Sequence, residues 1–270
     1  MKYYISVKFN DSFKPYYFST DDEKLEVGDF VVVETVVGLE LGEITEAPKP
    51  YEGLNFTKEV KPVIRKATSS DLRFNIENNR KAKEAYPIFE EFVTKLKLNM
   101  NLINAQYTLD RSKILFTYVS EERVDFRELL KLLATTLKCH IELKQINARE
   151  RAQKIGGIGA CGLALCCTTF LHSFDGVSLS RVKNQMLSIN IPKLSGMCGK
   201  LMCCLKYEDD LYTEEKKLFP SVGWKFSYKN MNYRISGYNI LTKIVKVDTP
   251  DGIEYLPLDE VNKMLNNKKN

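Results

Sequence analysis

Six of the seven cysteines, Cys161, Cys166, Cys167, Cys198, Cys203 and Cys204, fall within 44 residues of a 270-residue chain, and Cys139 stands apart from them. Aligned on sulfur they expose an internal repeat. Gly159-Ala160-Cys161-Gly162-Leu163-Ala164-Leu165-Cys166-Cys167 matches Gly196-Met197-Cys198-Gly199-Lys200-Leu201-Met202-Cys203-Cys204; both read G-x-C-G-x-x-x-C-C, offset by 37 residues. Thiols at repeated spacing perform metal ligation or redox exchange. A disulfide framework belongs to small secreted domains. The stretch from Met1 to Phe9 alternates polar and apolar residues and lacks the apolar run of a signal peptide, so the expected compartment is the cytosol and the expected thiol state is reduced. Each Cys-Gly pair is expected to turn tightly, glycine letting the backbone approach an ion, while the apolar residues that follow shield the site.

Zinc knuckles usually close on Cys-x-x-Cys, whereas here the first gap is four residues and the second is zero. If the adjacent cysteines lie in a strand they point to opposite faces, so Cys166 and Cys167 suit one zinc ion poorly. An iron–sulfur cluster is larger, is held by thiolates and tolerates more varied spacing. Six thiolates exceed the four that one cluster or zinc ion takes, so three per copy could serve two incomplete sites, each finished by a ligand from another subunit. Free cysteine also packs as a small hydrophobe. That is the expected role of Cys139, and within the repeat Cys167 and Cys204 are nearest to it. Simple packing does not account for the shared register.

The charge is uneven. The chain as a whole is only +5, from 40 basic and 35 acidic residues. Residues 148 to 206 hold eight basic side chains against Glu150 and Asp175, a net +6 that leaves −1 for the remainder. Such an excess can offset a cluster's negative charge and lower thiol pKa values, can meet RNA phosphates through Arg149, Arg151 and Lys154, or can be a solvated face.

Other chemistries recede. A content of 44% hydrophobic and 28% charged residues is that of an ordinary globular protein and excludes fibrous or wholly disordered chains. The 19 uncharged residues from Gly156 to Phe174 include four Gly, two Thr, a Ser and a His, too polar for a membrane span. Gly157, Gly159 and Gly162 fit G-x-G-x-x-G with Asp175 downstream, yet no strand is expected to run into the first glycine. A phosphate loop ending in G-K-[ST] is absent from the sequence. His140 and His172 are the only histidines, which leaves few candidates for a Ser-His-Asp or Cys-His pair; His172 is expected to pack as a polar residue. A redox enzyme built on Cys166-Cys167 would need a strained bridge between neighbours.

The elements that must position the cysteines divide the chain into four expected modules, giving an α+β protein. Residues 1–60 form a small β-barrel-like module, with strands at Tyr3 to Phe9, Pro15 to Ser19, Phe30 to Val33 and Leu39 to Thr45. Residues 61–147 read as an αββαβ layer, its sheet covered on one face by two helices. Its first helix opens with a capping box of Thr68 and Asp71 and is kinked or divided by Pro87; its second opens at Asp125 with Glu128. Residues 148–208 are the cysteine-repeat module. Residues 209–270 form an SH3-like β module with turns at Ser236-Gly237 and Asp251-Gly252, ending in a helix at Leu258 to Leu265 and a frayed tail.

The run Ala148-Arg149-Glu150-Arg151-Ala152-Gln153-Lys154-Ile155-Gly156-Gly157-Ile158-Gly159, the two cysteine repeats, and Leu201-Met202-Cys203-Cys204-Leu205-Lys206-Tyr207-Glu208 resemble the bacterial RicT (YaaT) family. Its members carry the C-terminal domain first described in a yeast polymerase-suppressor protein. The chain departs from that pattern at Ala160 and at Leu163-Ala164, where Pro and Arg-Pro are usual. The departure removes a rigid turn and one positive charge and leaves every family cysteine in place. The resemblance implies a non-enzymatic, cytoplasmic regulatory subunit without membrane insertion. It would join RicA-like and RicF-like small helical proteins in a complex carrying 4Fe–4S clusters, associated with RNase Y and mRNA processing, RNA contact being indirect, and through these with sporulation, competence and biofilm formation. By position, Cys161, Cys166, Cys167, Cys198, Cys203 and Cys204 are the candidate ligands. The rival expectation is a zinc-stabilised RNA-binding protein.

Overall fold

The computed structural model describes residues 3–10, 14–50, 60–172, 176–229 and 231–266. They form two compact α+β units. The first holds the described residues through Gly157 together with Thr168–His172; the second holds Ile158–Cys167 and the described residues from 176 onward. The expected turn at Asn10-Asp11, the boundary from Pro48 to Gly53, the acid Asp175 and the tail beyond 266 lie wholly or partly outside the described residues.

The first unit opens with strands β1 (Tyr3–Lys8), β2 (Tyr16–Thr20), β3 (Phe30–Glu34), β4 (Leu39–Pro50) and β5 (Val63–Lys66), all antiparallel in the order β2-β1-β4-β3-β5. The Ser19 N–H on β2 donates to the Lys61 carbonyl at 2.9 Å, just ahead of β5. The two edges thus approach and the sheet curls into a half-barrel around Ile5, Val7, Val31, Val33 and Ile44, each wholly buried. Strand β5 is an addition to the expected module. Its sequence, Val63-Ile64-Arg65-Lys66, is too short and too charged to signal a strand alone.

Helix α1 (Ser69–Lys95) follows, then the hairpin β6 (Asn101–Tyr107) and β7 (Lys113–Val119), α2 (Arg127–Leu137), and β8 (His140–Gln145) parallel to β7. Ala82, Ala85, Phe89 and Val93 supply the buried stripe of α1 at helical spacing. Phe89 meets Phe116 of β7 with ring centroids 4.8 Å apart, over Leu129 and Leu133 of α2. Pro87 does not divide α1, which runs unbroken across it. The residue is solvent-exposed, so water can satisfy the carbonyl that its missing N–H leaves behind. Asp125 accepts from the Arg127 N–H at 3.2 Å and pairs with its guanidinium, while Phe126 occupies the N-cap position; α2 therefore starts two residues later than expected.

Polar ties join the half-barrel to the αββαβ layer. At the capping box of α1, Thr68 Oγ1 accepts from the Asp71 N–H, and Asp71 Oδ2 accepts from the Thr68 N–H at 2.7 Å. The same carboxylate takes both arms of the Arg65 guanidinium from β5, one at 2.9 Å. Buried Asn78 donates to the carbonyls of Thr108 at 3.0 Å and Leu109 at 3.2 Å, fixing the β6–β7 hairpin on the helix. At Gly38 a Cβ would fall 2.8 Å from Thr108 Cγ2, so glycine there permits the half-barrel to approach the hairpin. Helix α3 (Ala148–Ile155) ends this part of the chain.

Short helices follow: α4 (Cys166–Thr169), α5 (Leu179–Asn184), α6 (Ile191–Leu194), α7 (Cys204–Tyr207) and α8 (Asp209–Lys216). The C-terminal stretch is a four-stranded antiparallel meander of β9 (Lys225–Tyr228), β10 (Met231–Asn239), β11 (Ile244–Thr249) and β12 (Gly252–Pro257), closed by α9 (Leu258–Asn266). Ile235, Val245, Val247 and Val261 are its wholly buried core. Ser236-Gly237 is not a turn: it lies within β10 at a register shift. Asp251-Gly252 does turn the chain, with Gly252 at φ +140°. Among the described residues no helix is long and apolar enough to cross a membrane.

The Asp71 carboxyl is held well below the usual carboxylate range, chiefly by the Arg65 guanidinium and further by the Thr68 N–H and hydroxyl, against the opposing effect of burial. A carboxyl whose pKa is lower folded than unfolded stabilises above its unfolded value of about 3.9 and loses that contribution as pH falls through the folded one. Asp71→Ala is therefore expected to cost about 1–2 kcal/mol at neutral pH, screening at the half-exposed Arg65 included. In urea titrations the gap between variant and parent should narrow below about pH 4.

Candidate functional site

The two copies of the cysteine motif adopt one local fold. In the first, Ile158 and Ala164 pair as an antiparallel bridge, the Gly159 N–H donates to the Leu163 carbonyl at 2.8 Å, and the Gly162 N–H to the Gly159 carbonyl at 3.0 Å. In the second, Ser195 pairs with Leu201, the Gly196 N–H donates to the Lys200 carbonyl at 2.9 Å, and the Gly199 N–H to the Gly196 carbonyl at 2.9 Å. Every bond recurs at the offset of 37 residues. Gly162 and Gly199 sit at φ +81° and +73°, and an added Cβ would meet open space at both, so the requirement for glycine is conformational. Cys161 and Cys198 immediately precede them. Their sulfurs fold back over the opening glycine of the motif, 3.3 Å from an ideal Cβ at Gly159 and 3.9 Å at Gly196.

The second half of each motif is helical rather than extended. Cys166 and Cys167 open α4; Cys203 caps α7, and Cys204 is its first residue. Adjacent helical side chains diverge by about 100° rather than about 180°, so the premise that neighbouring cysteines must face opposite ways does not hold here. The apolar residues between do not all shield the site either. Leu163 is 70% exposed, whereas Leu201 and Met202 pack against Val182, Leu194 and Leu205.

What the fold brings together is a set of thiols from both copies. Cys166 and Cys203, equivalent positions of the repeat, share a side-chain hydrogen bond, and Cys161 and Cys204 lie within electrostatic reach of Cys166. Burial, followed by the neighbouring Cys203 sulfur, pushes the Cys166 thiol up; burial, then Cys166 and Glu208, pushes Cys204 up. A lowered thiol pKa, one of the roles open to the basic excess, does not hold at these two cysteines, where burial and neighbouring sulfurs act in the opposite direction. Cys167 is buried and Cys198 half-buried. All seven cysteines are free thiols. Cys139 lies apart from the repeat, packed against the αββαβ core and hydrogen-bonded to Tyr107.

Thiols are the right donors for zinc or an iron–sulfur cluster. Among the described residues, however, no group of three or more His, Cys, Asp or Glu side chains is already arranged to hold a metal ion. The donor set fits by chemistry and number, as gathered thiols rather than a closed cage.

These thiols are positioned by a very small apolar core. Leu205, which directly follows Cys203-Cys204, packs with Val182 of α5 and Leu194 of α6. Buried Gln185 donates to the Leu205 carbonyl at 2.8 Å, and the Met202 N–H donates to the Leu194 carbonyl at 2.9 Å. Arg181 and Asn184 both donate to the Asp209 carboxylate, at 2.8 and 3.0 Å, tying α5 to α8. None of these polar residues stands out in the sequence, since their pairing across 20 to 28 residues leaves no local pattern. Arg149, Arg151 and Lys154 lie on α3, which Asn147 and Glu150 cap, and belong to the first unit. His172 belongs to the first unit as well, its carbonyl taking a long 3.5 Å bond from Gln153.

With a soluble disulfide reagent, exposed Cys161 is expected to react first and Cys167, only 6% exposed, last; labelling followed by peptide mapping reads the order. Gly162→Ala and Gly199→Ala are each expected to destabilise the second unit by about 1 kcal/mol, through left-handed strain alone, measured by thermal unfolding.

The family model for the PSP1 C-terminal conserved region matches residues 61–146, and that for the third domain of PSP1-like protein matches residues 176–219. Stage 0 sporulation protein YaaT of Bacillus subtilis is 41% identical over 244 residues, covering 90% of this chain and 89% of that protein. Protein PSP1 of Saccharomyces cerevisiae is 48% identical over 50 residues, 18% of this chain and 6% of the yeast protein. No solved structure matches. With identity to the Bacillus protein extending over nearly the full length of both, the chain belongs to the YaaT family of PSP1-domain proteins.

Proposed function

We propose that the chain is a cytosolic, non-enzymatic regulatory subunit that holds an iron–sulfur cluster, 4Fe–4S in type, between its two cysteine motifs and docks partner proteins beside it. The observation that carries this reading is the convergence of Cys166 and Cys203, with Cys161 and Cys204 close by, on twin glycine turns. Cys161, Cys166, Cys198, Cys203 and Cys204 are the candidate ligands, with buried Cys167 in reserve. A bound cluster would supply a negatively charged, oxidation-sensitive cross-link between the motifs. Ligation needs deprotonated sulfur, and Cys166 and Cys204 hold their protons above the ordinary thiol range, so loading releases protons and weakens as pH falls.

Partner docking is supported by apolar side chains left in solvent around the motifs: Ile158 at 67%, Leu163 at 70% and Met197 at 72% exposed. Isolated apolar residues are ordinary on surfaces, but three around two ligand turns form a recognisable contact set. In keeping with the family, the partners are RicA-like and RicF-like small helical proteins, one of which supplies any ligand the chain lacks. The assembled complex acts on RNase Y-dependent mRNA processing and thereby on sporulation, competence and biofilm formation.

Iron, acid-labile sulfide and zinc, measured on protein purified without oxygen, alone and co-expressed with such partners, test the reading. Iron and sulfide in near-equal amounts are expected, and Cys161→Ser or Cys198→Ser should remove cluster colour and partner assembly together. An assembled complex that survives both substitutions intact would falsify it. Zinc alone would favour a zinc-stabilised RNA-binding protein, which predicts salt-dependent RNA affinity lost on replacing Arg149, Arg151 and Lys154.

A further inference from the structure

In the first unit a cavity of about 540 Å³ opens between the start of β4, the stripe of α1 from Asn75 to Tyr86, and the edge strand β6. Its size falls within the roughly 300–1,000 Å³ of small-molecule sites. Four consecutive residues of β6, Asn104 to Tyr107, line it. Successive side chains of a strand point to opposite faces, so what all four share with the cavity is their backbone edge. The bond from the Thr108 N–H to the Lys113 carbonyl at 3.0 Å sets the phase of the β6–β7 ladder. Ala105 and Tyr107 therefore fall in its wide pairs, opposite Phe116 and Ile114, and turn their N–H and C=O groups away from β7. This edge is stopped at either end, where the Tyr86 hydroxyl donates to the Ile103 carbonyl at 2.6 Å and the Leu109 N–H to the Leu39 carbonyl at 2.8 Å. An added peptide strand would have to run on past both contacts. A compact ligand with coplanar donors and acceptors would not.

The wall formed by α1 adds side-chain amides. Asparagine is a poor helix former, yet it stands at positions 75, 78 and 79 of this helix. Asn78 has a structural reason, the tie to the β6–β7 hairpin. Asn75 and Asn79 form no side-chain hydrogen bond among the described residues. With Lys83 they recur every four residues on one stripe, and all three line the cavity. The Glu40 carboxylate in the cavity is already engaged by the Gln106 amide at 2.9 Å, whereas Lys83 is exposed and enters no ion pair among the described residues. Neutral amide and peptide groups thus line two walls, with one uncommitted cation beside them. We propose that the cavity binds a purine nucleotide, its base held between the β6 edge and the amides of Asn75 and Asn79 and its phosphate drawn to Lys83. A purine carries hydrogen-bonding groups on both its Watson–Crick and its Hoogsteen edge, which two such walls can satisfy together. The nucleotide is either free in solution or the end of an RNA strand, since both present the same base and phosphate. No cysteine takes part, so the inference is independent of the iron–sulfur reading.

The test is calorimetric titration of the full chain with AMP, GMP, CMP and UMP, and with a single-stranded uridylate hexamer ending in whichever purine binds better. One purine nucleotide is expected to bind saturably and about tenfold or more tightly than either pyrimidine nucleotide, the discrimination of about one hydrogen bond. Asn75→Ala and Asn79→Ala should each weaken it about tenfold on the same ground. Their melting temperatures should stay level or rise, because alanine is the better helix former; a merely structural role would lower them. Lys83→Ala should narrow the gap between the nucleotide and its nucleoside. Tighter binding of the hexamer than of the mononucleotide assigns the RNA end and weaker binding assigns the free nucleotide, and with the asparagine dependence either upholds the site. No purine binding at millimolar concentration, equal affinity for all four nucleotides, affinity unchanged in both asparagine variants, or affinity lost only together with melting temperature would each overturn the inference.

Discussion

The contact among Leu205, Val182 and Leu194 is the interaction on which the cysteine centre depends. Leu205 is the residue after Cys203-Cys204, so burying it sets where those sulfurs stand, and Gln185 secures its carbonyl at the same point. Three buried side chains are a meagre core. At about 25 cal/mol per Å² of apolar surface they contribute only a few kcal/mol, comparable to the cost of ordering the short helices around them. A region built this way relies on supplementary constraints: the Asp209 carboxylate gripping α5, the twin turns, and any ion or partner that the thiols accept. The first unit contrasts with it, having two substantial apolar clusters and charged ties between them.

The centre's outline was readable in the chain because its cause is local. A glycine after each first cysteine can have only a few backbone reasons to be there, and the recurrence at 37 residues pointed to a turn used twice. The Thr68–Asp71 cap was legible for the same reason: it is written within a few consecutive residues. What escaped was set by distance. Arg65 meets Asp71, Asn78 meets Thr108 and Gln185 meets Leu205 through the fold, and no periodicity announces such partners. Whether Cys166-Cys167 is extended or helical was not legible, because short apolar runs suit strand and helix alike. Gly237 was misjudged because glycine marks a bulge as readily as a turn.

Electrostatics correct the composition in one respect. A net +6 across residues 148–206 is an average over residues that the fold distributes between two units, with Arg149, Arg151 and Lys154 on α3 and the cysteines elsewhere. What a sulfur responds to is its immediate surroundings, and for Cys166 these are burial and other sulfurs. Of the readings that the basic excess allowed, a lowered thiol pKa does not apply at Cys166 and Cys204.

The hydrogen bond between Cys166 and Cys203 also has a meaning for the chain as a polymer. Thirty-six residues run between those two positions, and closing a flexible loop of that length costs about 3 kcal/mol of chain entropy or more. Val182 and Leu194 lie inside the loop and Leu205 just beyond its closing end, so burying them offsets part of that cost before any sulfur is engaged. Whatever joins the two sulfurs afterwards finds its ends already gathered, and acts as a clasp on a closed loop rather than as the force that closes it.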